Sequence, residues 1–417
     1  MHVVSKAAAG RAAPGGGFRS RCSRTLSSLV LSGLLYSASV GRTRAEDRVD
    51  YRYEYYGEEH GRVEVSTQGA YFDVGLKPWM SLKGNFIYDS ISGATPRGTP
   101  YQPGTNAINT VPMDDTRYAG YLEPTFKFSN HTLSPQVAYS IESDYESIGV
   151  SLNDAIDFND KNTTLLVGLS HAFDHVLPNG DAERYHLDQI ITTKQRKDTT
   201  DGLIGVTQLL GPATLLTGDL TVGYSDGFLS DPYKRVLFDN YFYAPGPDPT
   251  NNPNAYTGWA ENRPDHKLRE VVYLSLGHNF EKLDGAVLTS YRFYHDDFGI
   301  YAHTAEVQWN QKIGKHVIVS PMFRYYTQTA AYFYATHFPG DPENPGLFPL
   351  PNYFSSDYRL SELHSYTYGV EVSVKVQEHL SLELGYKRYE MFGTDGVTSP
   401  GQYPKANVFS AGFTVWF

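Results

Sequence analysis

Residues 408–417 read VFSAGFTVWF. Phe409, Ala411, Phe413, Val415 and Phe417 recur at period two, the spacing that places side chains on one face of a β-strand. The alternate positions, Val408, Ser410, Gly412, Thr414 and Trp416, are mostly small or polar. One face of this strand is therefore apolar throughout. A strand whose apolar face meets lipid has no water for its backbone, so it must belong to a closed barrel with many strands of the same kind.

Working outward, the same alternation returns. Tyr366, Tyr368, Val370, Val372, Val374 and Val376 oppose Ser365, Thr367, Gly369, Glu371, Ser373 and Lys375; Leu380, Leu382, Leu384 and Tyr386 oppose Ser381, Glu383, Gly385 and Lys387. The closing strand resembles the terminal strand of bacterial outer-membrane barrels. Sixteen strands can be placed along the chain, with short polar turns near 77–80, 129–132, 159–163, 211–213, 281–285, 314–316 and 377–379. Seven short turns on one side are what sixteen strands require. Three of the opposite connections are long, roughly 90–115, 226–266 and 331–357, and rich in Pro, Gly, Asn, Asp and Tyr. A strand over 47–56 makes the number even and closes the barrel against 408–417, whose other neighbour is 380–389. The expected fold is an all-β, transmembrane, antiparallel up-and-down β-barrel of about sixteen strands.

Composition agrees with this architecture. The chain has 417 residues, with 33 Tyr, 22 Phe and 38 Gly, and only 19% are charged. Mean hydropathy is −0.41, so the apolar content is interleaved with polar residues. No run of about 18 apolar residues marks a spanning helix. The apolar run 26–40, preceded by Arg11, Arg19, Arg21 and Arg24, reads as a secretory signal peptide over 1–45, with the barrel over 46–417. Cys22, the only cysteine, precedes that run, so lipidation is not expected and the mature chain has no thiol. Residues 1–45 hold seven of the 35 basic residues and none of the 46 acidic ones, which leaves 28 against 46, a net of −18. That balance disfavours nucleic acid as a partner. The expected partners are outer-membrane lipid, the barrel-assembly machinery and a periplasmic or surface protein.

The inward positions describe the lumen. Arg62, Lys83, Lys127, Arg292, Arg324, Lys375 and Lys387 fall there with Glu64, Asp89, Glu123, Glu142, Asp144, Asp219, Asp296, Glu306, Glu371 and Glu383. Ionised groups need water or partners, so this lumen is either wet or laced with ion pairs. Barrels of this size are wide enough for an aqueous channel.

Several stretches resemble a bacterial family of outer-membrane proteins catalogued as domain of unknown function 3570. They are DSISGATP at 89–96, GVSLNDAIDFNDKNTT at 149–164, GVTQLL at 205–210, SDGFLSDPYK at 225–234, ENRP at 261–264, SYRFYHDDFGI at 290–300 and RYYTQTAAYFY at 324–334. The resemblance implies a barrel and no assigned activity. It also implies a gene encoded near those of periplasmic thioredoxin-like proteins and flavin-transferring enzymes, hence an envelope redox or export setting.

Among single sites, His295, Asp296, Asp297 and His303 invite three readings: a polar rim turn, a metal held by His295, Asp297 and His303, or an Asp–His pair activating water. Asp226 and Asp231 suggest either a cation site or an ordinary loop entry, and the EF-hand order is missing. The serines of 89–96 lack a nearby histidine. His171 reads as an interfacial rim residue. No cofactor motif, catalytic residue or metal site is assigned. The leading expectation is a channel or transport component for small polar solutes; the others are a sealed assembly barrel and a hydrolase at the outer mouth.

Overall fold

The computed structural model describes residues 47–100, 108–177, 194–239 and 258–417, so the signal peptide expected over 1–45 lies outside the described residues. The barrel begins with β1 (Arg48–Glu58), β2 (Glu64–Lys77), β3 (Met80–Pro100), β4 (Ile108–Phe128), β5 (His131–Ile141) and β6 (Tyr145–Phe158). It continues through β7 (Thr163–Val176), β8 (Gln195–Gly211) and β9 (Thr214–Gly227). Two short strands follow, β10 (Arg235–Val236) and β11 (Trp259–Ala260), which stand apart from the wall. The wall resumes with β12 (His266–Phe280), β13 (Gly285–Asp296), β14 (Tyr301–Ile313), β15 (Val317–Gln328), β16 (Leu363–Gln377), β17 (Leu380–Gly393) and β18 (Lys405–Trp416).

Sixteen antiparallel strands form a closed barrel. Closure runs through β1, whose Tyr51 pairs with Ala70 of β2 on one side and with Phe413 of β18 on the other. The first strand read over 47–56 is thus real and extends two residues further. In β18, Phe409 and Phe413 project outward, whereas Thr414 turns inward and donates to Asp50 at 2.6 Å. Among the described residues, no helix is long and apolar enough to cross a membrane.

All seven short turns lie where the polar breaks in the sequence put them. Ser129, Asn159, Asp160, Lys161 and Asp284 adopt positive φ there, the left-handed conformation that tight reversals demand. The outer face carries a belt of exposed apolar side chains, Leu169 at 62% and Leu384 at 65% among them. A patch of that extent has no place in water and fits hydrocarbon.

The opposite end departs from expectation in one respect. Residues 90–100 and 108–115, read as loop, are strand: β3 and β4 run on as a paired extension, with Gly93 opposite Met113 and Thr95 opposite Val111. Gly93 makes this feasible, since its φ is +127° and a Cβ there would lie 1.5 Å from the Arg62 carbonyl oxygen. The Gly, Pro and Thr content that signals a loop serves here to bend a strand against a neighbouring turn.

The buried hydrophobic groups gather at this loop end. Leu229, Phe298, Ile300, Phe333 and Leu360 form one cluster, and Val236, Phe238, Trp259, Phe338 and Phe354 another. The core of the molecule is therefore a layer of loops packed over the mouth of the barrel.

Candidate functional site

Alternation along each strand sends one residue in two toward the lumen. Leu220, Val222 and Tyr224 are exposed on the outside of β9, so Asp219 and Thr221 point in. By the same register Lys83, Glu123, Arg292, Glu306, Arg324, Glu371, Glu383 and Lys387 point inward, with Lys127 and Lys375 near the short-turn rim. Opposite charges meet: Lys83 lies 3.6 Å from Glu123, and Arg52 of β1 reaches past β18 and β17 to Glu371 of β16 at 3.0 Å. Beneath the loop layer a cavity of about 590 Å³ is lined by Glu54, Glu306, Arg324, Arg359, Glu371 and Lys387, among others.

Four of the residues read as lumen-facing lie elsewhere: Arg62, Glu64, Glu142 and, beside Glu142 in the buried turn between β5 and β6, Asp144. Arg62 sits between β1 and β2, where it donates to the carbonyls of Gly401 and Gln402 and pairs with Glu58 at 3.0 Å. Glu142 follows β5 and is buried in the loop layer. Glu64 corrects a facing outright: it pairs with Gly57 two positions from Ser66, which bonds the outward Tyr53, so Glu64 is on the outer face. The register of β1 against β2 fixes this, and the alternation of a strand's first residue does not reveal it.

The loop layer is built around one chain segment that crosses the barrel. After β9, residues 228–239 run to the far wall, where Arg235 joins Gly98 of β3 in a parallel bridge. Lys234 donates to the Pro96 carbonyl, and Tyr233 packs against Val63, Val65, Ile91 and Met113. Six charges lock this segment to its neighbours. Asp357 receives Arg359 Nε at 2.7 Å and Arg263 Nη2 at 2.9 Å, with Lys234 Nζ at 3.9 Å. Arg359 reaches on to Asp231 at 2.8 Å, and Arg263 Nε lies 2.6 Å from Glu261. Three acids thus face three bases in a buried set. Burial alone raises the pKa of Asp357, but Arg359, Lys234 and Arg263 outweigh it and hold the carboxyl well below its usual range. Loss of any one member strands a buried charge.

The loop end is also where the family resemblance is carried: 89–96, 225–234 and 261–264 all meet there. The model of a family described as protein of unknown function (DUF3570) matches residues 23–414. The chain belongs to the DUF3570 family. No curated protein matches it. Among solved structures, the siderophore receptor PirA from Pseudomonas aeruginosa aligns at 8% identity and a TM-score of 0.42, over 89% of this chain and 62% of the receptor. A bacterial polysaccharide outer membrane secretin aligns at 9% and 0.46, over 89% of this chain and 98% of that one. CdiB from Acinetobacter baumannii aligns at 8% and 0.48, over 89% of this chain and 60% of CdiB. The DUF3570 chain therefore spans less than two thirds of PirA and of CdiB.

The His–Asp group of this DUF3570 barrel does not converge. His295 points outward to Glu270, 3.0 Å away, and His303 bonds Tyr291 on the same outer face at 2.7 Å. Asp296 is buried on the inner side, where it accepts from Tyr294 at 2.6 Å, and Asp297 accepts from the Leu268 amide at 3.0 Å. Neighbours along a strand face opposite ways, so neither a His295–Asp296 pair nor a His295, Asp297, His303 metal site forms. Asp226 and Asp231 separate likewise, one exposed at the end of β9 and the other inside the charge network. His171 lies on the outer face and bonds Thr200 at 2.8 Å.

Sequence reasoning missed Asp357 and Arg359, and quoted Glu261, Arg263 and Lys234 only as parts of family stretches. The available signal was the density of alternating charges in 230–234, 261–263 and 357–359, within or beside the connections read as long loops.

Proposed function

We propose that this DUF3570 protein is an outer-membrane conduit for small polar solutes whose loop end is held shut by its own folded connections and opens when they are displaced. One observation carries the reading. The segment 228–239 crosses the mouth from β9 to β3 above a charged cavity, which is the arrangement of a removable stopper over a wet passage. Residues 228–239, 258–265 and 331–357 supply the stopper, and the extension of β3 and β4 supplies the wall it docks on. The outward apolar belt supports a place in a bilayer. With a net of −18 after removal of 1–45, acids dominate and cations pass in preference to anions.

Single-channel recording in planar bilayers tests this. The intact barrel gives rare, brief openings, and a variant with Asp357→Ala and Arg359→Ala gives sustained ones. Absence of conductance in both, with the barrels demonstrably folded, removes the reading.

A second reading, a sealed barrel that docks a periplasmic or surface protein, draws support from the completeness of the charge network. Under it, a stoichiometric partner co-purifies in detergent and the network variant stays closed.

A further inference from the structure

We propose that Asp115, Glu142 and Asp144 form a binding site for one divalent cation of the calcium class. Asp115 lies on β4, and Glu142 and Asp144 lie in the turn between β5 and β6. Each offers a carboxylate oxygen, and these oxygens fall within 4.8 Å of one another, all three residues being buried. The relative exposures are 8%, 6% and 0%. This site is independent of the conduit reading.

Proximity of acids alone says little; the state of their oxygens says more. Asp115 is held in place by the amides of Thr116 at 2.7 Å and Ser143 at 3.2 Å and by the Ser143 hydroxyl. Asp144 Oδ2 accepts from the Tyr233 hydroxyl at 3.1 Å. Asp144 Oδ1 and Glu142 Oε1, by contrast, are buried and meet no hydrogen-bond donor among the described residues. A buried carboxylate oxygen without a donor is costly, and two of them in one group of acids are a request for positive charge.

Among the described residues, the surroundings provide little of that charge. Arg117 is the neighbouring cation, and its Nε is already 2.5 Å from Asp89; Asp231 adds further negative charge near Asp144. Burial, opposed by Arg117 and reinforced by Asp115, pushes Glu142 up to about 8. Burial and the adjacent Glu142 push Asp144 well above the usual carboxylate range. The two ways to settle such a group are to protonate it or to bind a cation.

Donor chemistry selects the ion. Three carboxylates with no nitrogen or sulfur suit a hard cation, and calcium tolerates irregular oxygen shells of six to eight donors. Magnesium demands near-octahedral geometry and sheds water reluctantly, which suits a buried site less well. Because Tyr233 belongs to the crossing segment, an ion on Asp144 also braces that segment against the wall.

Calorimetric titration of the full-length, detergent-folded barrel with CaCl₂ after EDTA treatment is the test, with MgCl₂ as the second arm. The expected result is one Ca²⁺ per barrel, bound at least about tenfold more tightly than Mg²⁺. Folded Glu142→Gln/Asp144→Asn protein, verified by its heat-dependent gel mobility, should neither bind Ca²⁺ nor gain thermal stability from it. No saturable Ca²⁺ binding by the wild type overturns the proposal whatever the variants do. So does binding that survives in the double variant, and Mg²⁺ binding as tight as Ca²⁺ overturns the calcium assignment. If the double variant fails to fold, Asp115→Asn takes its place.

Discussion

Arg235 bridges Gly98 in parallel register even though β4, β5, β6, β7 and β8 lie between β3 and β9, the strand that Arg235 follows. The contact spans the mouth of the barrel. Gly98 has φ +141°, and a Cβ there would stand 2.4 Å from the Arg235 carbonyl oxygen. Substitution with Val should therefore lift the crossing segment while leaving the wall assembled. Proteolysis of intact barrels should cut within 228–239 several-fold faster in Gly98→Val than in wild type, and equal rates would refute the docking.

The charge network makes a second demand. Arg263→Ala leaves Glu261 without its buried cation and removes one of those around Asp357, a loss of about 3–5 kcal/mol. Opening of the loop layer should become about a hundredfold more frequent or greater. Hydrogen exchange in 228–239 and 355–361 measures it, with exchange in β16 and β17 as the unchanged control.

Acid should loosen the same layer. Because the folded carboxyl of Asp357 titrates well below the unfolded value of about 3.9, its contribution is complete above that value. It fades as pH falls from about 4 toward the folded pKa. The difference in loop-layer protection between wild type and Asp357→Asn, which isolates this carboxyl from Glu142 and Asp144, should be flat from pH 7 to 5 and shrink below about 4. A decline that begins near pH 6 would point to histidine instead.

Lipid contact is testable from the outside. Leu384 projects from the middle of the β17 face at 65% exposure. Leu384→Arg should destabilise the barrel in bilayers by about 2–4 kcal/mol, and Glu383→Arg, on the lumen side, by much less. Reversible denaturant unfolding in vesicles compares them.

At the seam, the Phe417 amide donates to the Asp47 carbonyl at 2.9 Å, next to the Arg48–Trp416 pair that begins the β1–β18 register. Deleting Phe417 should lower the fraction of chains that reach the folded, membrane-inserted state. Equal yields of folded barrel from the full-length and shortened chains would count against it.

The wall was legible because its causes are local. Period-two patterns in 366–376 and 408–417 and the polar turn at 159–163 each report their own conformation, and closure follows from their number. The loop layer was not legible, because what fixes Lys234 is Pro96 and Asp357, far away in sequence. Gly93 and Gly98 show the same limit: in sequence they read as loop residues, and only the approach of the Arg62 and Arg235 carbonyls explains why a strand needs them. His295 and Asp296, adjacent in sequence, illustrate the converse, since a strand sends neighbours to opposite sides of the wall.

The six-membered charge set of Asp231, Lys234, Glu261, Arg263, Asp357 and Arg359 sums to zero. Moving it as a unit through an electric field does no net work, since the energy scales with the charge displaced. A transbilayer voltage therefore has no handle on these residues. Whatever shifts them must act by contact, by acid or by competing for their partners, and recordings at rising voltage should show openings whose frequency barely changes.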